Sequence, residues 1–182
     1  MTGITKTAGS ASLTNPGEAV AANLYELYQV ISSLTDAAYS LPSDPAFRGS
    51  IGAHVRHCLD HVEALLKGID TGRVEYDKRE RGTEIETNRK AALARIKHLH
   101  DMLLKLNPEM SNQPITVELM MLSSEPPRPL RSTIGRELAF ILSHTIHHNA
   151  LIAVMARIKG TQLPEKFGYA PATLAYIDHS GN

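Results

Sequence analysis

The 182-residue chain has one cysteine, no tryptophan and no excess charge of either sign. Each shortage excludes something. With Cys58 alone, no intrachain disulfide forms and a thiolate zinc finger is ruled out. Nineteen basic and nineteen acidic residues leave no basic stripe, so nucleic acid is not an expected partner. The longest uninterrupted apolar run, Ala150 to Ala156, is seven residues against the roughly 20 that span a bilayer, so no membrane is expected. Residues 1–15 lack the apolar core of a signal peptide and predict a flexible tail on a cytoplasmic chain. The remainder, 16–182, predicts a single domain. Also absent are the G-x-G-x-x-G, Walker, H-E-x-x-H and G-x-S-x-G signatures of nucleotide binders, zincins and serine hydrolases.

Amphipathic periodicity is plentiful. Asn15 and Pro16 predict a helix start, and Val20, Leu24, Leu27, Ile31 and Leu34 continue its stripe until just before Pro42. A second helix opens near Ser50 with Ile51, Val55, Cys58, Val62, Leu65 and Ile69 on one side, framed at its end by Gly68 and Gly72. Residues 70–83 predict a charged connector, and a third helix is expected from Glu84 to Leu106. Residues 113–132 alternate at Ile115 and Val117 and then crowd prolines, which predicts a short strand or hairpin. A long apolar helix follows from Thr133 to Lys159, closed by Gly160, and the tail holds one short helical turn. The expectation is an all-α, antiparallel four-helix bundle with an irregular or β-hairpin insert before its last long helix.

Histidine is the outlier. Six of nine fall in two short windows, His54, His57, His61 and His144, His147, His148, where an even spread puts fewer than one. At about 100° per residue, His144 and His148 lie on the same inward face as Glu137, while His54, His57 and His61 share a 60° sector beside the second helix's apolar stripe. Several inward imidazoles on two bundle helices suit a borderline divalent cation such as zinc, with three protein ligands and one position open. His147 points to the flank. Glu137, two turns before His144, is a candidate catalytic carboxylate, as a base or as an orienter of a ligating imidazole. Arg79 and Arg81 are candidates to grip a carboxylate of a substrate or thiol cofactor. Cys58 reads as a core thiol.

The segment SIGAHVRHCLDH at 50–61, followed by HTIHH at 144–148 near the end of a four-helix chain, resembles the DinB-like family of metalloenzymes. The resemblance spans residues 16–159. It implies that one histidine of the second helix and the H-x-x-x-H pair of the last hold a divalent metal, zinc or nickel. Residue by residue, the implied ligands are His57, His144 and His148. His54 and His61 are additional to the family pattern and stand as pocket residues or alternative ligands. Asp60 sits where many members carry an acidic residue. Relatives include thiol transferases using bacillithiol or mycothiol, a mycothiol-dependent maleylpyruvate isomerase and a domain of ergothioneine-making enzymes. The implied function is therefore a metal-dependent thiol transferase or metal-assisted hydrolase acting on a small molecule, with a low-molecular-weight thiol as co-substrate and a homodimer as assembly. The alternative is a non-catalytic, stress-related metal- or ligand-binding module.

Overall fold

The structure, a computed structural model, describes residues 15–44, 47–78 and 82–180. The fold is mostly helical. Helix α1 (Glu18–Ser33) starts two residues later than expected: Asn15 Oδ1 accepts from the Gly17 N–H at 2.7 Å, and Gly17 is the cap residue. Asn15 also donates to the Leu104 carbonyl at 2.7 Å, tying the chain entry to the end of the helix beside it. The expected run to Pro42 breaks at Leu34. There the chain turns extended, and Thr35 Oγ1 accepts from the Ala38 N–H at 3.1 Å to cap a separate helix α2 (Asp36–Ser40). Ser and Thr side chains offer the backbone local partners that compete with helix continuation. Arg89 stabilises the break by donating to the Ile31 carbonyl, which also accepts from the Leu34 N–H, and to the Ser32 carbonyl and Asp36.

Strands β1 (Pro42–Asp44) and β2 (Phe47–Ser50) pair antiparallel ahead of α3 (Ile51–Thr71). Ser50 caps α3 through its hydroxyl, and Gly72 closes it at φ 71° in the left-handed region. The expected connector contributes a strand, β3 (Arg73–Glu75). A single helical turn at Glu84–Glu86 then precedes α4 (Arg89–Leu103), which Asn88 caps. The hairpin is present as β4 (Pro114–Leu119) and β5 (Arg128–Thr133), antiparallel in register from Pro114–Thr133 to Leu119–Arg128. β3 adds parallel to β4, with Val74 opposite Val117. β3 thus extends the expected hairpin into a small three-stranded sheet within a mostly helical fold. Helix α5 (Ile134–Ile158) follows, and the tail carries α6 (Pro171–Ser180), ten residues rather than one turn.

Helices α1 and α3 each pack against both α4 and α5. Leu24, Leu27 and Ile31 of α1, Val55, Leu59 and Val62 of α3, Ile96 and Leu99 of α4, and Ile141, Ile152 and Met155 of α5 fill the core. α5 is long and apolar enough to cross a membrane, with mean hydropathy 1.4 over its best 18-residue window, but its apolar face is buried against α1 and α3. It is a core helix of this domain.

The start of α3 is fixed by a close approach. A Cβ on Gly52 would stand 2.0 Å from the Glu86 carbonyl oxygen and 2.8 Å from Tyr39 Cε1, while Tyr39 itself donates to the Ile85 carbonyl at 2.7 Å. Alanine usually gains about 1 kcal/mol over glycine inside a helix. Here the backbone clash reverses the sign: Gly52→Ala is expected to cost a net of about 2 kcal/mol by overpacking, a Tm drop of roughly 4–8 °C. Thermal unfolding followed by circular dichroism checks it, and an unchanged or raised Tm contradicts this packing.

Candidate metal centre

Helices α3 and α5 lie side by side, and their histidines meet between them. His57 Nε2 and His144 Nε2 face each other at 2.9 Å. His61 closes the group, with ring centres 4.5 Å from His57 and 4.4 Å from His144. One ligand nitrogen from each of His57, His61 and His144 lies within 4.8 Å of the others, close enough to hold a metal ion. One turn along, His54 Nδ1 and His148 Nδ1 face each other at 2.9 Å. The His148 ring centre is 4.7 Å from both His57 and His144. All five imidazoles expected inward are therefore gathered into one cluster. His147 is exposed, as expected from its flank position, with its ring 5.4 Å from His148.

Local chemistry prepares the donors. His61 Nδ1 lies 2.9 Å from the His57 carbonyl, which only accepts, so Nδ1 carries the proton and Nε2 keeps its lone pair. Aromatic rings wall the cluster: Tyr76 stacks on His61 at 5.2 Å and Phe140 on His144 at 5.7 Å. Tyr76 was missed by sequence reasoning because it sits in the charged connector, and only tertiary folding brings it to α3. Phe140 had a signal, since it precedes His144 by one helical turn.

Glu137 is buried and engaged. It accepts from the Tyr76 hydroxyl at 2.8 Å, Ser132 Oγ at 2.5 Å and Arg136 Nη1 at 2.9 Å. It thus reaches the histidines through the ring of Tyr76. Burial and this carboxylate push the Tyr76 phenol well above its ordinary range. Asp60 pairs with Arg56 at 2.5 Å, and Arg56 continues to Glu86 at 2.6 Å. Asp60 also lines a cleft of about 930 Å³ between α3 and α4, together with Lys78 and Thr83 at the described ends of the connector. Arg79 and Arg81 lie outside the described residues. Cys58 is fully buried and its thiol is pushed up to about 12, an inert core thiol as expected.

The sequence model of the DinB superfamily matches residues 19–152. The chain belongs to the DinB superfamily. Two solved structures share its fold. A DinB-like protein from Bacillus subtilis aligns with TM-score 0.57 at 18% identity, over 83% of this chain and 96% of that one. A second, from Bacillus cereus, gives TM-score 0.55 at 16% identity, over 78% and 89%. Among curated sequences, FK506-binding protein 5 of Rhizopus delemar is 31% identical over 105 residues. That match takes in 57% of this chain and 27% of the fungal protein, so the chain spans about a quarter of that relative.

Crowding sets the acid response of the metal-free cluster. Burial first, and then neighbouring His144, His54, His147 and His61, hold His148 down at about 4 against an ordinary 6.5. His54 is lowered too, by burial and by His147. Both imidazoles are neutral in the folded state where the unfolded chain already takes up protons. The His148 contribution is therefore in place above pH 6.5, declines as pH falls below that value, and levels off below about 4, and His54 acts in the same direction. Urea unfolding of chelated protein should show a smaller loss between pH 6.5 and 4 in His148→Asn than in wild type. Equal losses contradict this reading of the cluster.

Proposed function

We propose that this DinB-superfamily chain is a divalent-metal enzyme that joins a small electrophile to a low-molecular-weight thiol, with zinc or nickel held by His57, His61 and His144. The observation that carries it is the convergence of three imidazole donors from two helices within 4.8 Å. Neutral nitrogen donors suit a borderline cation, and three of them leave a position for an exogenous ligand. Once bound, the cation would lower the pKa of a coordinated thiol or water and stabilise its anion. His57 and His144 also belong to the set His57, His144, His148 implied by family resemblance. Proximity favours His61 as the third ligand. Tyr76 and Phe140 keep His61 and His144 oriented and shield them from water, and Glu137 positions Tyr76.

The thiol rests on family resemblance. Water as the attacking group gives a metal-assisted hydrolase with the same ligands. We read α1, α3, α4 and α5 as the antiparallel four-helix bundle of the family, supported by their mutual packing. A homodimer is the assembly we propose, on family resemblance. A screen of the metal-loaded chain with bacillithiol, mycothiol or glutathione and a chlorinated or epoxide electrophile tests the reaction. The expected result is thiol consumption that a chelator stops and that His144→Ala lacks. Metal binding with neither thiol conjugation nor ester hydrolysis would favour the non-catalytic binding module.

A further inference from the structure

Between α3 and α4 lies the cleft of about 930 Å³, and none of the five clustered imidazoles lines it. Its volume is that of a small-molecule site, which usually falls between roughly 300 and 1,000 Å³. Two stripes of helical spacing build it. α3 contributes Asp60, Glu63, Ala64 and Lys67, and α4 contributes Ala91, Ala94, Arg95 and His98. Positions i, i+3, i+4 and i+7 share one face of a helix, so each set looks into the same space. The three alanines put only methyl groups there, and with Ile85 they make an apolar floor. Strand β3 closes one side. A Cβ on Gly68 would stand 2.6 Å from Val74 Cγ2 and 2.8 Å from the Arg73 carbonyl oxygen, so glycine lets the strand lie against α3. Alternation then sends Arg73 and Glu75 to the cleft and Val74 and Tyr76 inward.

Opposite charges pair off along the walls. Asp60 pairs with Arg56, Glu75 with Lys78 at 2.7 Å, and Arg73 with Glu118. Glu63 instead receives two cations, Lys67 at 2.8 Å and Arg95. Burial opposes its ionisation, yet the two donors outweigh burial and hold its carboxyl below the ordinary range. One carboxylate between two cations leaves a surplus of one positive charge at this wall. Arg95 is the better-held member, with a side chain 33% exposed against 76% for Lys67. Its guanidinium has five N–H donors in a planar fork, more than one carboxylate uses. We propose that this cleft binds a small organic monoanion, a carboxylic acid with a flat apolar body. Arg95 and Lys67 take the carboxylate, and the body rests on Ala64, Ala91, Ala94 and Ile85. A phosphate monoester, at about −1.5 to −2 charges, exceeds the surplus. The site is independent of the histidine cluster and of any metal there. The competing account is a solvated seam in which Lys67 and Arg95 serve Glu63 alone.

2-Naphthoate is the probe, and 2-naphthamide is its uncharged counterpart. The chain has no tryptophan, so naphthoate emission is read without overlap. Untagged full-length protein is titrated at neutral pH and low salt, with and without a chelator. The expected result is saturable binding of about one equivalent, unchanged by chelation and in His144→Ala. Arg95→Gln should weaken binding at least tenfold by removing the charge-assisted fork, and the amide should bind at least tenfold more weakly than the acid. Glu63→Gln should tighten it several-fold by releasing both cations. Circular dichroism checks the fold of each variant. If Arg95→Gln is unfolded, the amide comparison and Lys67→Gln decide. No saturable binding overturns the site. Equal binding of acid and amide, or full affinity in folded Arg95→Gln, removes the anion recognition and overturns the proposal. Binding lost on chelation or in His144→Ala places naphthoate on the histidine cluster and also overturns it.

Discussion

Alanine at His57, or at His144, is expected to abolish tight cation binding while leaving the helical fold in place. Each supplies a ring nitrogen to the 2.9 Å contact between α3 and α5, and each belongs to both ligand sets considered above. Loss of a supporting partner in a metal site typically weakens binding 10–100-fold, so loss of a direct ligand should exceed about a hundredfold. Both side chains are only half-buried, and the apolar core is formed by other residues, so folding does not depend on them. Competition with a chromophoric chelator reads the affinity, and far-ultraviolet circular dichroism reads the fold. The third ligand follows from the same assay. His61→Ala should match His57→Ala in severity, whereas His148→Ala should leave the tight affinity within about tenfold of wild type. The reverse pattern would restore the set implied by family resemblance.

The second large effect is on stability. Glu137 is 1% exposed and receives hydrogen bonds from Tyr76, Ser132 and Arg136. In Glu137→Leu the buried Tyr76 hydroxyl loses its acceptor, and a buried charge-assisted network disappears. The expected cost is about 2–4 kcal/mol, a Tm drop of roughly 5–15 °C. Glu137→Gln keeps an acceptor for Tyr76 and should lose less than half of that. The pair also separates two roles for this carboxylate. If Glu137 positions Tyr76 against His61, Glu137→Gln retains most turnover. If it is a base that touches the reactant, Glu137→Gln loses turnover at near-normal stability.

Much of this was legible before folding, and the reasons are physical. Helix α3 and helix α5 announce themselves by uninterrupted stripes and by Ser50 and Thr133 caps, and both occur where periodicity places them. Their histidines recur at three- and four-residue spacing, which one helix face enforces locally, so the cluster was visible as well. What periodicity could not rank was His57 against His61, because the choice depends on how α3 is rotated towards α5. Both proved inward. Strand β3 was invisible because its signal is Val74 alone, and its pairing comes from Thr116 to Glu118, over 40 residues away. The break at Leu34 was hidden because its stripe residues continue in phase, while the Arg89 contacts that hold the carbonyls come from α4. Tyr76 belongs to the same class. A stacking partner supplied by tertiary contact leaves no pattern in its own neighbourhood.

On the proposed reading, α3 and α5 together hold a divalent cation. The most direct measurement of this is elemental analysis by inductively coupled plasma mass spectrometry. The sample is untagged full-length protein purified without added metal, compared with the His57→Ala, His144→Ala double variant prepared in parallel. Zinc or nickel is expected at about one equivalent per wild-type chain, with loss of that tightly held metal in the folded double variant. A wild-type chain free of divalent metal even after supplementation, or a double variant that retains the wild-type content, contradicts it.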